Sequence, residues 1–306
     1  MRLLKRKPPD ASRLEILLYH FVSAERNDFT LSGHTVDPEA FRRQLEYLSA
    51  RYTLVRLPDL PALGRPGSPP GPYAAVCFDD GYRCILAEAY PILESLRIPA
   101  TMFVNPPVLG NRDLLWRDKI RYLIQKDLAG EFLEYLRARR GGYDFGALGR
   151  LGFYKWSKDP QALRSMAIQS DVAGFFAERG IDPAAIAAAA RLFLAPEDVR
   201  TRPFLDFGNH TWSHPILTLL RRDEQRAEIV RCHEFLAARG VAPSALALPF
   251  SPFNSDTRAV CRELGYSCLL TVYEETNYLP AGRPAPPMVL HRRMAPKEAE
   301  KLAAIV

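Results

Sequence analysis

Ala74-Ala75-Val76-Cys77-Phe78, followed at once by Asp79-Asp80-Gly81, is the stretch from which the fold is read. Five consecutive apolar residues, with no polar alternation, describe a strand buried on both faces. Such strands belong to parallel sheets covered by helices. The run stops at two adjacent carboxylates and a glycine, a turn-forming sequence. Outward from it the same unit recurs. Upstream, Glu15–His20 (EILLYH) reads as a strand, Pro38–Ala50 as a helix with Phe41, Leu45 and Leu48 on one face, and Tyr52–Leu57 as a strand. The segment Pro61–Tyr73, rich in proline and glycine, reads as a loop. Downstream, a helix from about Ile85 to Leu96 leads to a strand at Ala100–Val104. Further strands are expected near Phe204–Phe207, Ala245–Leu248, Cys268–Val272 and Met288–His291, with helices at Arg222–Arg239 and Thr257–Leu264.

No repeat of fixed period underlies this rhythm. About eight strands over 306 residues imply a closed β/α barrel, with an open doubly wound sheet as the alternative. Either places the chemistry at the C-terminal ends of the strands. From about residue 117 to 196 the alternation breaks. Helical patterns, including Gly130–Arg139 and the alanine-rich Pro183–Leu192, occur without a strand. This reads as a helical insertion in a single domain spanning 1–306, either covering the active site or elaborating the surface.

Composition excludes some classes. Hydrophobic residues make up 47% and charged residues 25%, as in a soluble globular protein. The net charge of +6 comes from 41 basic residues interspersed with 35 acidic ones, and the only dense basic run is Arg2, Lys5, Arg6, Lys7. A nucleic-acid binder concentrates its basic residues on one element, so no nucleic-acid partner is expected. The excess suits an anionic substrate or peripheral contact with a membrane or a lipid-linked precursor. Five cysteines, odd in number and without CxxC spacing, read as free thiols in a reducing compartment. The N-terminus lacks the apolar stretch of a signal peptide, and Ile16–Tyr19 is too short to span a bilayer, so a cytoplasmic location is expected.

Two strand ends carry chemistry. In Phe78-Asp79-Asp80-Gly81 the adjacent carboxylates repel, and burying both is costly unless a cation lies nearby. A solvated turn would account for the motif taken alone. In His210-Thr211-Trp212-Ser213-His214 the histidines stand at i and i+4, on one face of a helical turn, where both imidazoles can reach one ion. With one carboxylate they form a two-histidine, one-carboxylate set whose open positions suit a catalytic metal.

With these motifs in this order, the sequence resembles the polysaccharide deacetylase family, the chitin deacetylase-like carbohydrate esterases. Leu18-Tyr19-His20 and Ile98-Pro99-Ala100-Thr101-Met102-Phe103-Val104 resemble framing features of bacterial members, and the resemblance runs from about residue 15 to 293. It implies a distorted (β/α) barrel of about seven to eight strands and a metal-dependent hydrolase that removes an N-acetyl group from an amino sugar. Carried over by residue, Asp80, His210 and His214 bind the metal and Asp79 is the general base. Zinc is the expected ion, with cobalt, nickel or manganese next. In Ala247-Leu248-Pro249-Phe250, the Phe250 N–H corresponds to the oxyanion donor of the family's R-x-P-Y motif. Its arginine is Ala247 here, as in a subgroup resembling exopolysaccharide deacetylases, and Arg292 or Arg293 could replace it. Val289-Leu290-His291 resembles the late L-x-H motif, which makes His291 the candidate general acid. His20 could contact substrate. Trp116, Trp212 and Tyr82 could stack on a sugar or simply pack, and His34 and His233 belong to no cluster. Two other functions compete: hydrolysis of a formamide, cyclic imide or ureide at the same metal, and an inactive glycan-binding homologue. The sugar and the oligomeric state are not legible.

Overall fold

The computed structural model describes residues 12–30, 33–63, 67–140, 152–153, 156–157, 167–279 and 287–306. Its strands are, in chain order, β1 (Ser12–Tyr19), β2 (Phe21–Val22), β3 (Thr35–Val36), β4 (Thr53–Leu54), β5 (Tyr73–Phe78), β6 (Ala100–Val104), β7 (Leu205–Asn209), β8 (Ala245–Ala247), β9 (Cys268–Val272), β10 (Asn277–Leu279) and β11 (Met288–Met294). Seven of them pair in parallel in the order β1-β5-β6-β7-β8-β9-β11, and β11 returns to β1. The β1–β5 pairing, continuous from Leu14↔Tyr73 to Tyr19↔Phe78, closes the barrel and excludes the open sheet.

Closure is irregular at the N-terminal ends. There β4 takes the edge of β5 at Tyr73 and Ala74 before β6 takes it from Val76 onward. Likewise, β10 lies antiparallel on Ser12–Leu14 of β1, and β11 takes over at Leu17. These wedges make the barrel a distorted one.

Strand alternation divides the core. Leu14, Ile16, Tyr73, Ala75, Cys77, Phe103, Ala245, Ala247, Cys268, Leu270 and Leu290 pack together inside the barrel. The intervening Leu17, Tyr19, Ala74, Val76, Phe78, Met102, Val104 and Phe207 meet the surrounding helices. Gly208 leaves space for the Phe103 ring, because a Cβ there would lie 2.4 Å from Phe103 Cε1.

Helix α1 (Pro38–Ser49) starts at Asp37, whose side chain accepts from Glu39 N, with proline in the first turn. Helix α2 (Tyr90–Leu96) and the helices Arg222–Ala237 and Ser255–Glu263 fall where periodicity put them. The insertion contains α3 (Trp116–Gln125) and the helices Ala129–Arg140, Ala167–Glu178 and Pro183–Ala189. It has its own apolar core, including Phe132, Phe153 and Phe175. Tyr82 stacks with Phe21 at 3.9 Å and Phe193 at 5.4 Å between centroids, which joins that core to the barrel.

Some boundaries differ from the sequence reading. The strand expected at Tyr52–Leu57 is two residues long, because Leu57–Ala62 turns into a 3-10 helix. The last strand continues past His291 to Met294. The N-terminal basic run lies outside the described residues. Among those described, Cys77, Cys84, Cys232, Cys261 and Cys268 are free thiols, and no helix is long and apolar enough to cross a membrane.

Candidate metal centre and active site

The barrel interior turns from apolar to polar at its C-terminal mouth. A cavity of about 270 Å³ opens there, lined by Asp79, Asp80, His210, His214, His20, Phe250 and others. Asp79 continues the inward face of β5. Asp80 follows with φ 73°, a left-handed conformation that turns its carboxylate toward the histidines.

The two histidines do not ride on a helical turn. Thr211 and His214 have φ of 66° and 61°, so the segment is a tight irregular loop, which corrects the expectation drawn from spacing alone. Backbone polar groups that a helix would pair internally are satisfied here by side chains. Asn105 Nδ2 donates to the His210 and Thr211 carbonyls at 2.6 and 3.0 Å. Asn209 Oδ1 accepts from Thr211 N at 2.8 Å. Glu228 accepts from Ser213 N and Oγ at 2.7 and 2.8 Å. Trp116 Nε1 donates to the His214 carbonyl at 3.0 Å.

This loop delivers the ligand set. His210 Nε2 and His214 Nε2 stand 3.4 and 3.6 Å from Asp80 Oδ1. Ligand atoms of all three residues lie within 4.8 Å of one another, the only such group among the described residues. His210 Nδ1 is 2.8 Å from the Ala247 carbonyl, which can only accept, so Nδ1 carries a proton and Nε2 is the nitrogen turned toward Asp80. Asp80 Oδ1 is buried and makes no hydrogen bond of normal geometry. A buried carboxylate oxygen facing two imidazole nitrogens is the donor arrangement of a divalent cation site, and the residues fit one.

Asp79 is held separately. Arg292 donates to its two oxygens at 2.7 and 2.9 Å, a bidentate pair with the guanidinium fully buried. Burial raises the Asp79 carboxyl's pKa, but Arg292 and His210 outweigh it and hold it below the ordinary carboxylate range. Asp80 is likewise depressed, as the surrounding imidazoles outweigh burial. Burial lowers His214 to about 3.

Strand alternation sorts the remaining candidates. Leu290, Arg292 and Met294 share the inward face of β11, so His291 and Arg293 face outward. Arg293 pairs with Glu15 at 3.2 Å and Thr276 at 3.1 Å, so Arg292, not Arg293, is the guanidinium that reaches Asp79. His291 Nδ1 is 2.7 Å from Thr271 Oγ1 and its Nε2 is 3.4 Å from Glu275. It is not among the residues that line the cavity. His20 does line it, with Nε2 3.9 Å from Asp80 Oδ2. Phe250 lines it too, with φ 59°, its ring 5.2 Å from that of His214.

Tyr82 donates to Asp118 at 3.0 Å and is buried, so it packs and braces instead of stacking on a ligand. Trp212 carries the Arg231 guanidinium at 4.1 Å from its ring centre. His34 joins the cavity wall with its ring 5.3 Å from that of His20. Arg117 and Arg121 of α3 line the cavity as well. Sequence reading missed both, since a basic residue on an amphipathic helix ordinarily faces solvent.

The sequence model of the polysaccharide deacetylase family matches residues 67–134 and 197–269. The two segments contain both motifs and bracket most of the insertion. No curated protein sequence matches the chain. Among solved structures, the chain is similar to the Streptococcus pyogenes deacetylase PplD in complex with acetate, at 16% identity and a TM-score of 0.57 over 96% of this chain and 98% of that one. It is also similar to IcaB from Ammonifex degensii, at 18% identity and a TM-score of 0.53 over 96% of each. A polysaccharide deacetylase from Bacillus cereus gives 14% and 0.52, over 96% of this chain and 69% of that one. These likenesses establish a shared fold.

Proposed function

Because the chain belongs to the polysaccharide deacetylase family, we propose that it is a metal-dependent hydrolase removing an N-acetyl group from an amino sugar of a glycan or glycan precursor. The observation that carries this reading is the pairing of two differently held carboxylates. Asp80 Oδ1 faces two imidazole nitrogens, while Asp79 beside it is clamped by Arg292.

Asp80, His210 and His214 are the proposed ligands, and nitrogen and oxygen donors in an open site favour zinc, with cobalt, nickel or manganese next. A cation held there supplies Lewis acidity, lowering the pKa of water and polarising the acyl carbonyl. Asp79, kept ionised by Arg292, takes a proton from the attacking water. The Phe250 N–H donates to the carbonyl oxygen as negative charge develops on it. With His291 outside the cavity, His20 is the imidazole assigned to protonate the departing amine.

Two substitutions separate these roles. Asp80→Ala is expected to abolish metal binding. Asp79→Asn should retain the metal and lose roughly 10²- to 10⁴-fold in turnover. Metal content and acetate release measure both, and a fully active Asp79→Asn enzyme would overturn the base assignment.

A further inference from the structure

We propose that Tyr266, oriented by His233, is a positioning residue for the cation centre: through Asn209 and Thr211 its hydroxyl sets how His210 and His214 present their ring nitrogens. The proposal rests on the reading of Asp80, His210 and His214 as a ligand set. It adds residues behind that set, none of them among the residues that line the cavity.

Thr211 stands between the two histidines in a left-handed conformation, with φ 66°. A β-branched residue is strained there, so the turn persists only where its neighbours hold it. The Thr211 N–H donates to Asn209 Oδ1 at 2.8 Å, a bond that bridges across His210. Thr211 Oγ1 accepts from His214 N at 3.2 Å. The Asn209 carboxamide therefore bears on both imidazoles through one residue.

Asn209 ends β7 and is fully buried. Its amide group is completely paired. Oδ1 takes the Thr211 N–H, and the two Nδ2 hydrogens go to the Ile229 carbonyl and to Tyr266 Oη, each at 2.8 Å. Ile229 lies on the helix Arg222–Ala237, whereas Tyr266 lies between the helix Ser255–Glu263 and β9, so the amide is gripped from two sides. An amide nitrogen only donates, so Tyr266 Oη accepts from it. The hydroxyl hydrogen is then directed to His233 Nδ1, 3.1 Å away. His233 is half-buried and forms the outer end of this chain of bonds.

The Tyr266 ring packs in an apolar cluster with Leu217, Ile229, Leu246, Val260 and Leu269. Phenylalanine would fill that space equally well. Burying a hydroxyl is unfavourable unless it is hydrogen-bonded, so what tyrosine adds here is its pair of bonds to Asn209 and His233.

Zinc binding by chelator-stripped protein, followed by calorimetry, is the test. Tyr266→Phe should bind zinc roughly 10-fold more weakly, the lower end of the range for residues behind metal ligands. The visible absorption bands of the cobalt-loaded variant should also shift, because they report ligand geometry. A merely structural role would lower the melting temperature and leave both readouts as in the wild type. Adding Tyr266→Phe to Asn209→Ala should cost little beyond Asn209→Ala alone, since the hydroxyl acts through the amide. His233→Leu should weaken zinc binding in the same direction. His233→Asn, whose side-chain oxygen can stand near the place of Nδ1, should restore it. The His233 pair carries the test even where Tyr266→Phe does not fold.

Wild-type zinc affinity with an unchanged cobalt spectrum in Tyr266→Phe would overturn the proposal and keep the ligand set. Equal zinc affinity in His233→Leu and His233→Asn would do the same. A wild-type protein that binds no zinc would instead remove the ligand set on which the proposal rests.

Discussion

On β11, Arg292 turns inward to Asp79 while Arg293 turns outward to Glu15. The two cannot be told apart by composition or spacing, because the face each takes depends on where the strand starts and on its register with β9, Met288↔Cys268 through Arg292↔Val272. His291 takes the face opposite to Arg292 for the same reason, whatever its motif match. Arg292→Met should therefore act twice. It leaves a buried carboxylate without its partner, for an expected loss of about 3–5 kcal/mol, readable by urea unfolding. It also removes a depressing influence on Asp79, so the acid limb of kcat/KM should move to higher pH. The ordering follows from the sign: a general base works only when ionised, and a raised pKa leaves it protonated to higher pH. Asp118 behaves oppositely. Burial outweighs the Arg121 guanidinium and raises its carboxyl to about 6. Between roughly pH 4 and 6 the folded protein holds a proton that the unfolded chain has released, so this group's stability contribution is present at low pH and is lost as pH rises, by about 3 kcal/mol. The stability difference between wild type and Asp118→Asn should shift by that order across this window.

At the scale of elements, the apolar runs at residues 74–78, 100–104 and 268–272 were legible because a strand covered on both faces carries no charged position to confuse the pattern. The loop from His210 to His214 was not. Spacing of four fits a helical turn, but the chain makes left-handed turns at Thr211 and His214, and the side chains of Asn105 and Asn209 that secure them come from two different strand ends. Contacts of that kind appear only when the strands are assembled. Gly208 shows the same dependence. It sits inside the barrel because Phe103 on β6 needs its space. Gly208→Ala should destabilise the protein by about 1–3 kcal/mol. Combining it with Phe103→Leu should cost less than the two separate losses added together, since the second change opens the space the new methyl needs. Thermal melts of the three variants would show whether the pair is coupled.

Taken as a whole, the molecule is a seven-stranded parallel barrel with two wedge strands, of which β4 was expected as a longer strand and β10, three residues long, is too short to announce itself in the sequence. Helices were expected between β6 and β7, but the side of them that faces the cavity was not legible, because Arg117 and Arg121 look like solvent-facing charges until the Trp116–His214 bond sets the helix against the mouth. Barrel and insertion together confine a carboxylate–imidazole set and a clamped second carboxylate in one cavity, which is what metal-dependent amide hydrolysis needs. Acetate release is expected to depend on one divalent cation held by Asp80, His210 and His214. The direct measurement is acetate released from N-acetylglucosamine oligosaccharides or an acidic N-acetylated sugar by chelator-stripped protein, titrated with zinc. Stripped protein should release no acetate, and recovery should saturate at one metal per chain. Hydrolysis at an undiminished rate by the stripped protein, or zinc uptake without acetate release from any N-acetylated sugar, would contradict this dependence.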